Sequence, residues 1–489
     1  MLKKLTTFLF KNTSIKQTVA KNTIWLTLSQ IGGRLIRSAI VVYAARVLGT
    51  AEYGLFSYAI TLAGFMNTLM DPGVNAVLLR DIAKSNEEAR RRIFSAALAI
   101  KVLLVLLGTG IIVYLGPYFS ILPGAKDLLP FTGLILSFDT LREFLLSLVR
   151  GIEQMEWEAA IALLTNVAIV GFGFKYILAD PTARSLVFAY AVGTGIGVIG
   201  AIVVLRSYLA SVIKEFSSRL IVPILKSAWP FAVTGALGIL FTNTDILMIS
   251  WMKTASDVGI YSAAIRVIQV IYLLPTIVQL TTMPLFSRLA KPDNQEFRQA
   301  LEQTISVLFL ASIPMGIGGV VLGTPIMTLL FGPAFASGGL AFKILIATTL
   351  VAFPGSIMVS AIFAYGHQRS LIIASTVGGF SNVLFDLLFI PRWGITGSAV
   401  ATLLAQILSN GYLWYALREI VYFEVLPHLG KIIAGGCVVA VTTILLALIH
   451  VHVVVVIGIS AAVYFLVLRI LREPILGDIK AIAHRQSAA

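Results

Sequence analysis

The sequence predicts an all-α polytopic membrane protein: about fourteen transmembrane helices, in two pseudo-symmetric six-helix lobes followed by two C-terminal helices. Three observations carry this reading. Of 489 residues, 58% are hydrophobic and 12% charged, against roughly 25% charged in soluble domains. That leaves too little polar surface to cover a water-soluble globule. The apolar runs reach the length of about 20 residues that crosses a hydrocarbon core about 30 Å thick. Runs such as VLLVLLGTGIIVYL (102–115) lack the two-residue alternation of a barrel strand, so helices satisfy the backbone in lipid. Finally, the chain repeats itself. Residues 22–62 begin NTIWLTLSQIGGRLIRSAIVVYAARVLG and turn through TAEYG, and the pattern returns near Asn243 as NTDILMISWMKTASDVGIYSAAIRV. Gly54-Leu55-Phe56-Ser57 aligns with Gly259-Ile260-Tyr261-Ser262, and Thr50-Ala51 with Thr254-Ala255. Two similar halves are the ground plan of many transporters.

The elements follow in order. Residues 1–21 read as a cytoplasmic amphipathic arm: Leu2, Leu5, Phe8 and Leu9 line one face, with Lys3, Lys4 and Lys11 at headgroup level. The next apolar run is long enough to span, so no cleavable signal is evident. Spans at 22–48, 54–79, 93–115, 128–149, 157–178 and 185–205 form an N-lobe over 22–215. The basic, polar stretch RSYLASVIKEFSSRLIVPILK (206–226) is the longest connection and marks the lobe boundary. A C-lobe over 216–425 holds spans at 227–252, 259–286, 304–330, 340–366, 371–390 and 395–417. Pro275, Pro284, Pro314, Gly316, Gly318, Gly319 and Pro354 let its helices bend. The final piece, 426–489, carries spans 429–449 and 452–471 and a cytoplasmic tail. Most of the 37 Lys and Arg residues fall in the N-terminal arm and in every second connection, which places both termini in the cytoplasm.

Composition also excludes function classes. The net charge of +14 is spread over short connections, not gathered on a domain face as in a nucleic-acid binder. Cys437 is the single cysteine, so no internal disulfide forms. His367, His428, His450, His452 and His484 lack metal-ligand spacing. There is no Walker loop, and no connection is long enough to house a soluble catalytic domain. The protein is predicted not to be an enzyme, and to need no metal or cofactor beyond a coupling Na⁺ or H⁺.

Charges inside spans are costly and must face a partner or water. Gln30, Arg34 and Arg37 share one face of the first span at i, i+4 and i+7. The two arginines lie too deep to reach either surface comfortably. They read either as the wall of an anion site, where the guanidinium fork suits phosphate oxygens, or as structural salt-bridge partners. Arg266, about two turns into the span at 259–286, either joins that surface or snorkels outward. Arg46 and Lys343 sit near span ends as anchors. Asp139, Arg142 and Glu143 permit one intrahelical pair and leave an acid over, to serve either as a partner for Arg34 or Arg37 or as an ion-coupling carboxylate. Asp71 precedes Pro72-Gly73 in mid-span, a broken-helix pattern found at transport sites. Asp245, beside Asn243, is a further coupling-ion candidate. Asp386 reads as a rim residue near the outer end of its span.

The stretches NTIWLTLSQIGGRLIRSAIVVYAARVLGTAEYGLFSYA, DPGVNAVLLRDIAKS, TDILMISWMKTASDVGIYSAAIRV and WGITGSAVATLLAQILSNGYLWYALR resemble the polysaccharide transporter (Wzx-type flippase) family of the multidrug/oligosaccharidyl-lipid/polysaccharide exporter superfamily. The resemblance covers nearly the whole chain. It implies two six-helix lobes around a partly hydrated cavity, and movement of a polyprenyl-pyrophosphate-linked oligosaccharide from the cytoplasmic to the outer leaflet for surface polysaccharide synthesis. It further implies alternating access driven by an ion gradient in the cell (inner) membrane, with a polysaccharide polymerase or chain-length proteins as partners. Arginines on the first and eighth helices meet the pyrophosphate in related lipid flippases, which points to Arg34, Arg37 and Arg266. A cation/drug antiporter of the same superfamily is the alternative that Asp71, Asp139 and Asp245 keep open, and a lipid II flippase is another.

Overall fold

The computed structural model describes residues 15–242, 244–291 and 294–473. The predicted arm up to residue 14, Asn243 and the tail from 474 lie outside the described residues, as do the side chains of Gln30 and Arg34. Ten helices among the described residues are long and apolar enough to cross a membrane. Two of them run through a glycine kink: Leu35–Leu69 takes in parts of the predicted spans at 22–48 and 54–79, and Gln368–Ile420 takes in the whole of those at 371–390 and 395–417. The predicted spans at 128–149 and 227–252 are not among the ten. The first carries Asp139, Arg142 and Glu143, and the second takes in Asn243, which lies outside the described residues.

The chain divides into two compact units: residues up to Ile239 with Lys253–Gly259, and Leu240–Met252 with the remainder from Ile260. In the first unit, α1 (Ile15–Leu69) passes through Gly49, whose φ of 73° only glycine adopts without strain. The repeated turn explains why residues 253–259 belong here. A Cβ at Gly54 would stand 1.8 Å from the Ala255 carbonyl oxygen, and one at Gly259 2.0 Å from that of Thr50. Ser256 donates a 2.7 Å hydrogen bond to the Thr50 hydroxyl. The two repeated turns, residues 50–54 and 254–259, thus pack backbone to backbone within this unit, and each needs its glycine.

After α1 the chain breaks at Asp71–Gly73 and resumes as α2 (Val74–Lys84), with Gly73 at φ 87°. A Cβ on Gly73 would meet Phe231 Cβ at 2.4 Å and the Ala228 carbonyl oxygen at 2.5 Å. This close approach draws α7 (Ile221–Thr242) into the first unit as far as Ile239, beyond the boundary the basic linker suggested. Between them lie α3 (Glu87–Gly110), capped by Asn86 on Ala89 N–H, α4 (Leu129–Gly151), α5 (Met155–Ala179) and α6 (Ala183–Val204), capped by Thr182. The linker after α6 is tied back to α3: Arg91 donates to Ser207 O (2.9 Å) and Ser211 Oγ (3.2 Å). Beneath it, Phe94 stacks on Phe144 with ring centroids 5.6 Å apart.

The second unit contains α8 (Thr244–Met252), most of α9 (Ala255–Ile271), α10 (Leu273–Leu289), α11 (Gln295–Phe331), α12 (Gly339–Ala347), α13 (Thr349–Ala364), α14 (Gln368–Ile420), α15 (Leu426–Leu448) and α16 (Val453–Ile470). The last two helices pack on α11. Gly436 lets α15 close on Ile313, where a Cβ would come within 2.6 Å. Pro314 has no N–H to offer the Leu310 carbonyl one turn back, and the buried Tyr464 hydroxyl of α16 donates to that carbonyl at 3.0 Å. An acceptor orphaned by proline is satisfied from another helix.

Candidate functional sites in the two units

In the first unit, Arg37 projects from α1 toward α5 and α6. Its Nε donates to Asn166 Oδ1 at 3.0 Å, and its guanidinium carbon lies 5.8 Å from the Tyr190 ring centroid, within cation–π range. Asn166 is buried, and its amide is oriented by a 2.7 Å bond from Nδ2 to the Ala162 carbonyl. Arg37 makes no ion pair among the described residues, and its terminal nitrogens have no partner there.

The sequence-predicted acids of this unit, Asp71, Asp139 and Glu143, are by contrast occupied by other bases. Asp71 meets Lys101 Nζ at 3.1 Å, and the same ammonium lies 3.4 Å from the Met70 carbonyl oxygen. The Lys101 side chain is 0% exposed. Asp71 Oδ1 also accepts from Asn75 N–H, closing the first turn of α2. The sequence-predicted ion candidate therefore anchors a helix break. Asp139 and Glu143 both reach Arg142 Nη2, at 2.6 and 2.9 Å, and Glu143 extends to Arg150 at 3.5 Å. Arg150 in turn meets the buried Glu158 at 3.0 Å. The acid left over by the intrahelical pair is thus shared between two arginines of α4, and none of these carboxylates pairs with Arg37. Lys101, Arg150 and Glu158 were missed from sequence. Lys101 gave the available signal, a lysine inside an apolar run.

In the second unit, Asp245 is buried at the start of α8. It accepts from Tyr261 Oη at 2.6 Å and from Ile246 N–H at 2.8 Å. Tyr261 Oη lies 3.3 Å from Thr402 Oγ1, which Asn382 Nδ2 approaches at 3.5 Å. One turn from Asn382 is Asp386. It is no rim residue: it is 0% exposed, and neither carboxyl oxygen, nor the Ser398 hydroxyl, has a hydrogen-bond partner among the described residues. The reason is the kink in α14. At Gly394 the helix folds back so tightly that a Cβ on Gly397 would stand 2.4 Å from the Phe389 carbonyl oxygen, and the returning arm covers the face that carries Asp386. Neither Asp245 nor Asp386 makes an ion pair among the described residues. Two buried carboxyls without a base, among hydroxyl and amide oxygens, form a donor set suited to a monovalent hard cation or a proton. Sequence reasoning singled out Asp245 but not Tyr261, Asn382, Ser398 or Thr402.

Arg266, also in the second unit, is half-buried on α9. Its Nη1 donates to Gln269 at 3.1 Å while its buried Nε has no partner. Like Arg37, it makes no ion pair among the described residues.

Comparison with known proteins agrees with this picture of a membrane transporter. The family model described as "Polysaccharide biosynthesis protein" matches residues 19–290. The Haloferax volcanii protein named "Probable flippase AglR" is 23% identical over 427 residues, covering 84% of this chain and 86% of its own. The succinoglycan biosynthesis transport protein ExoT of Rhizobium meliloti is 24% identical over 340 residues, covering 65% of this chain and 64% of its own. Among solved structures, the lipid II flippase MurJ in an inward closed conformation superposes with a TM-score of 0.77 at 18% identity, over 93% of this chain and all of that one. That likeness shows the fold. The chain, a multi-pass membrane protein, belongs to the polysaccharide biosynthesis protein family.

Proposed function

We propose that the protein is a flippase that moves a polyprenyl-pyrophosphate-linked oligosaccharide from the cytoplasmic to the outer leaflet of the cell membrane, with both termini cytoplasmic. The observation that carries the reading is Arg37. Arg37 lies inside the predicted span at 22–48, an arginine at a span's centre costs about 2.5–3.5 kcal/mol on insertion scales, and no carboxylate among the described residues offsets that cost. An external anion supplies what the protein leaves out, and a pyrophosphate offers oxygens that match the guanidinium fork. Arg266 is similarly without an acid, and Arg34 shares the Arg37 face of α1 by spacing. The relatives' names, probable flippase and succinoglycan biosynthesis transport protein, agree with a lipid-linked glycan as cargo. The chain is a carrier in this reading, with no catalytic step.

Transport is coupled to an ion gradient through the second unit. Asp245 and Asp386, with Asn382, Ser398, Thr402 and Tyr261, would hold Na⁺ or a proton. Loading the site neutralises buried charge and so favours one arrangement of α8, α9 and α14 over another. The same acids would serve a cation/drug antiporter, but an organic-cation site should be led by acids and aromatics, and Arg37 opposes that reading.

Proteoliposomes with fluorescent polyprenyl-pyrophosphate oligosaccharide test both parts. Arg34→Ala, Arg37→Ala and Arg266→Ala should each slow flipping, with lysine at Arg37 restoring part of it. Asp386→Asn should abolish the response to an imposed Na⁺ or H⁺ gradient while gradient-free exchange persists. Export of a cationic dye without lipid movement would establish the antiporter instead.

A further inference from the structure

Arg37 does not stand alone on α1. One turn earlier on the same face is Gly33, and a Cβ there would lie 2.5 Å from Asn166 Nδ2. The missing side chain at Gly33 is therefore the notch in which the Asn166 amide sits. Its Nδ2, the atom nearest Gly33, donates to the Ala162 carbonyl at 2.7 Å, and its Oδ1 accepts from Arg37 Nε at 3.0 Å. On the other side the guanidinium lies over Tyr190, itself set edge-on to Phe56 with centroids 5.1 Å apart. A guanidinium can grip a phosphate side-on, through Nε and one Nη, or end-on, through both Nη groups. Asn166 occupies the side-on edge.

The geometry points to Asn166, seated in the Gly33 notch, as the positioning residue that orients Arg37 and leaves only its end-on fork for a phosphate oxygen pair. The inference rests on Arg37 being the pyrophosphate contact. An amide is suited to this role where a carboxylate is not. It accepts one hydrogen bond without cancelling the positive charge, whereas an acid at the same 3.0 Å would form a buried ion pair and compete with the ligand. The arrangement also explains why three helices converge on one side chain: α1 supplies the charge, α5 the orientation and α6 the aromatic wall.

The test is equilibrium binding of a fluorescent polyprenyl pyrophosphate to the full chain in nanodiscs, alongside thermal unfolding of each variant. Arg37→Ala should weaken binding by about tenfold or more, the loss of a charge-assisted contact. Asn166→Asp should match it, because the new carboxylate neutralises Arg37. Asn166→Ala should fall between, and adding Asn166→Asp to Arg37→Ala should cause no further loss. Gly33→Ala, which keeps both polar residues but displaces the amide, should weaken binding in the same direction. It also serves as the second probe if Asn166→Asp does not fold. A purely structural Asn166 would lower thermal stability in both Arg37 backgrounds and leave the affinity of folded protein unchanged. If Asn166→Asp and Asn166→Ala bind within about twofold of wild type while Arg37→Ala does not, the positioning role is wrong and the Arg37 site stands. If Arg37→Ala itself binds like wild type, both fall.

Discussion

Lys101→Met is the most informative single change outside the proposed sites. Methionine keeps the apolar stem and roughly the volume of lysine, so the change removes an ammonium with little alteration of packing. The ammonium is fully buried and makes two contacts, 3.1 Å to Asp71 and 3.4 Å to the Met70 carbonyl. Removing one partner of a buried ion pair typically costs about 3–5 kcal/mol, because the other charge is stranded. The Asp71 side chain is 25% exposed and can recruit water, which places the expected loss at the lower end, about 3 kcal/mol. Removing both charges should be far milder. In Asp71→Asn/Lys101→Met the amide oxygen can still accept from Asn75 N–H, and the double variant should return to within about 1 kcal/mol of wild type. Reversible unfolding in mixed detergent micelles would measure Lys101→Met, Asp71→Asn and the double variant, and the coupling between the two sites. A loss below about 0.5 kcal/mol for Lys101→Met, or a double variant whose cost is the sum of the singles, would refute the argument that this pair holds the broken helix.

Two further outcomes follow from close contacts. Replacing Thr50 and Ser256 by cysteine in a Cys437→Ala background should give a disulfide under mild oxidation, since the native hydroxyls are 2.7 Å apart. A gel-shift assay with a thiol-reactive polymer would read it, and an unreacted pair would place the repeated turns apart. Gly54→Ala should disturb the same contact, because its Cβ falls on a backbone carbonyl and not on a side chain that can swing away. Tyr464→Phe should cost about 1–3 kcal/mol, the penalty of leaving the Leu310 acceptor buried and unpaired. Phenylalanine at Tyr464 with alanine at Pro314 should recover part of it, since the helix can then supply its own donor.

Much of the architecture was legible in the chain. Hydropathy and run length mark membrane helices because the requirement to satisfy every backbone group within lipid acts on each segment separately. The repeated glycine turn was visible as a pattern, and the structure adds why both glycines are needed. Arg37 stood out by the cost of its charge alone. What those charges touch was decided elsewhere. Arg37 meets Asn166 across 129 residues of sequence and Lys101 meets Asp71 across 30, and no local period encodes such pairings. Asp386 was misread because a residue near a span end is exposed only if nothing folds over it, and the Gly394 turn does so. Asp71, Asp139 and Glu143 looked alike in sequence to Asp245. Only packing separated acids that a neighbouring base already holds from acids that have none among the described residues. The sequence by itself determined that the chain is built of apolar helices long enough to cross a membrane and which side chains are expensive there, because both are properties of the residue and its immediate neighbours. Tertiary structure alone decided which of those charges are paired, because pairing depends on the face each helix turns to the next.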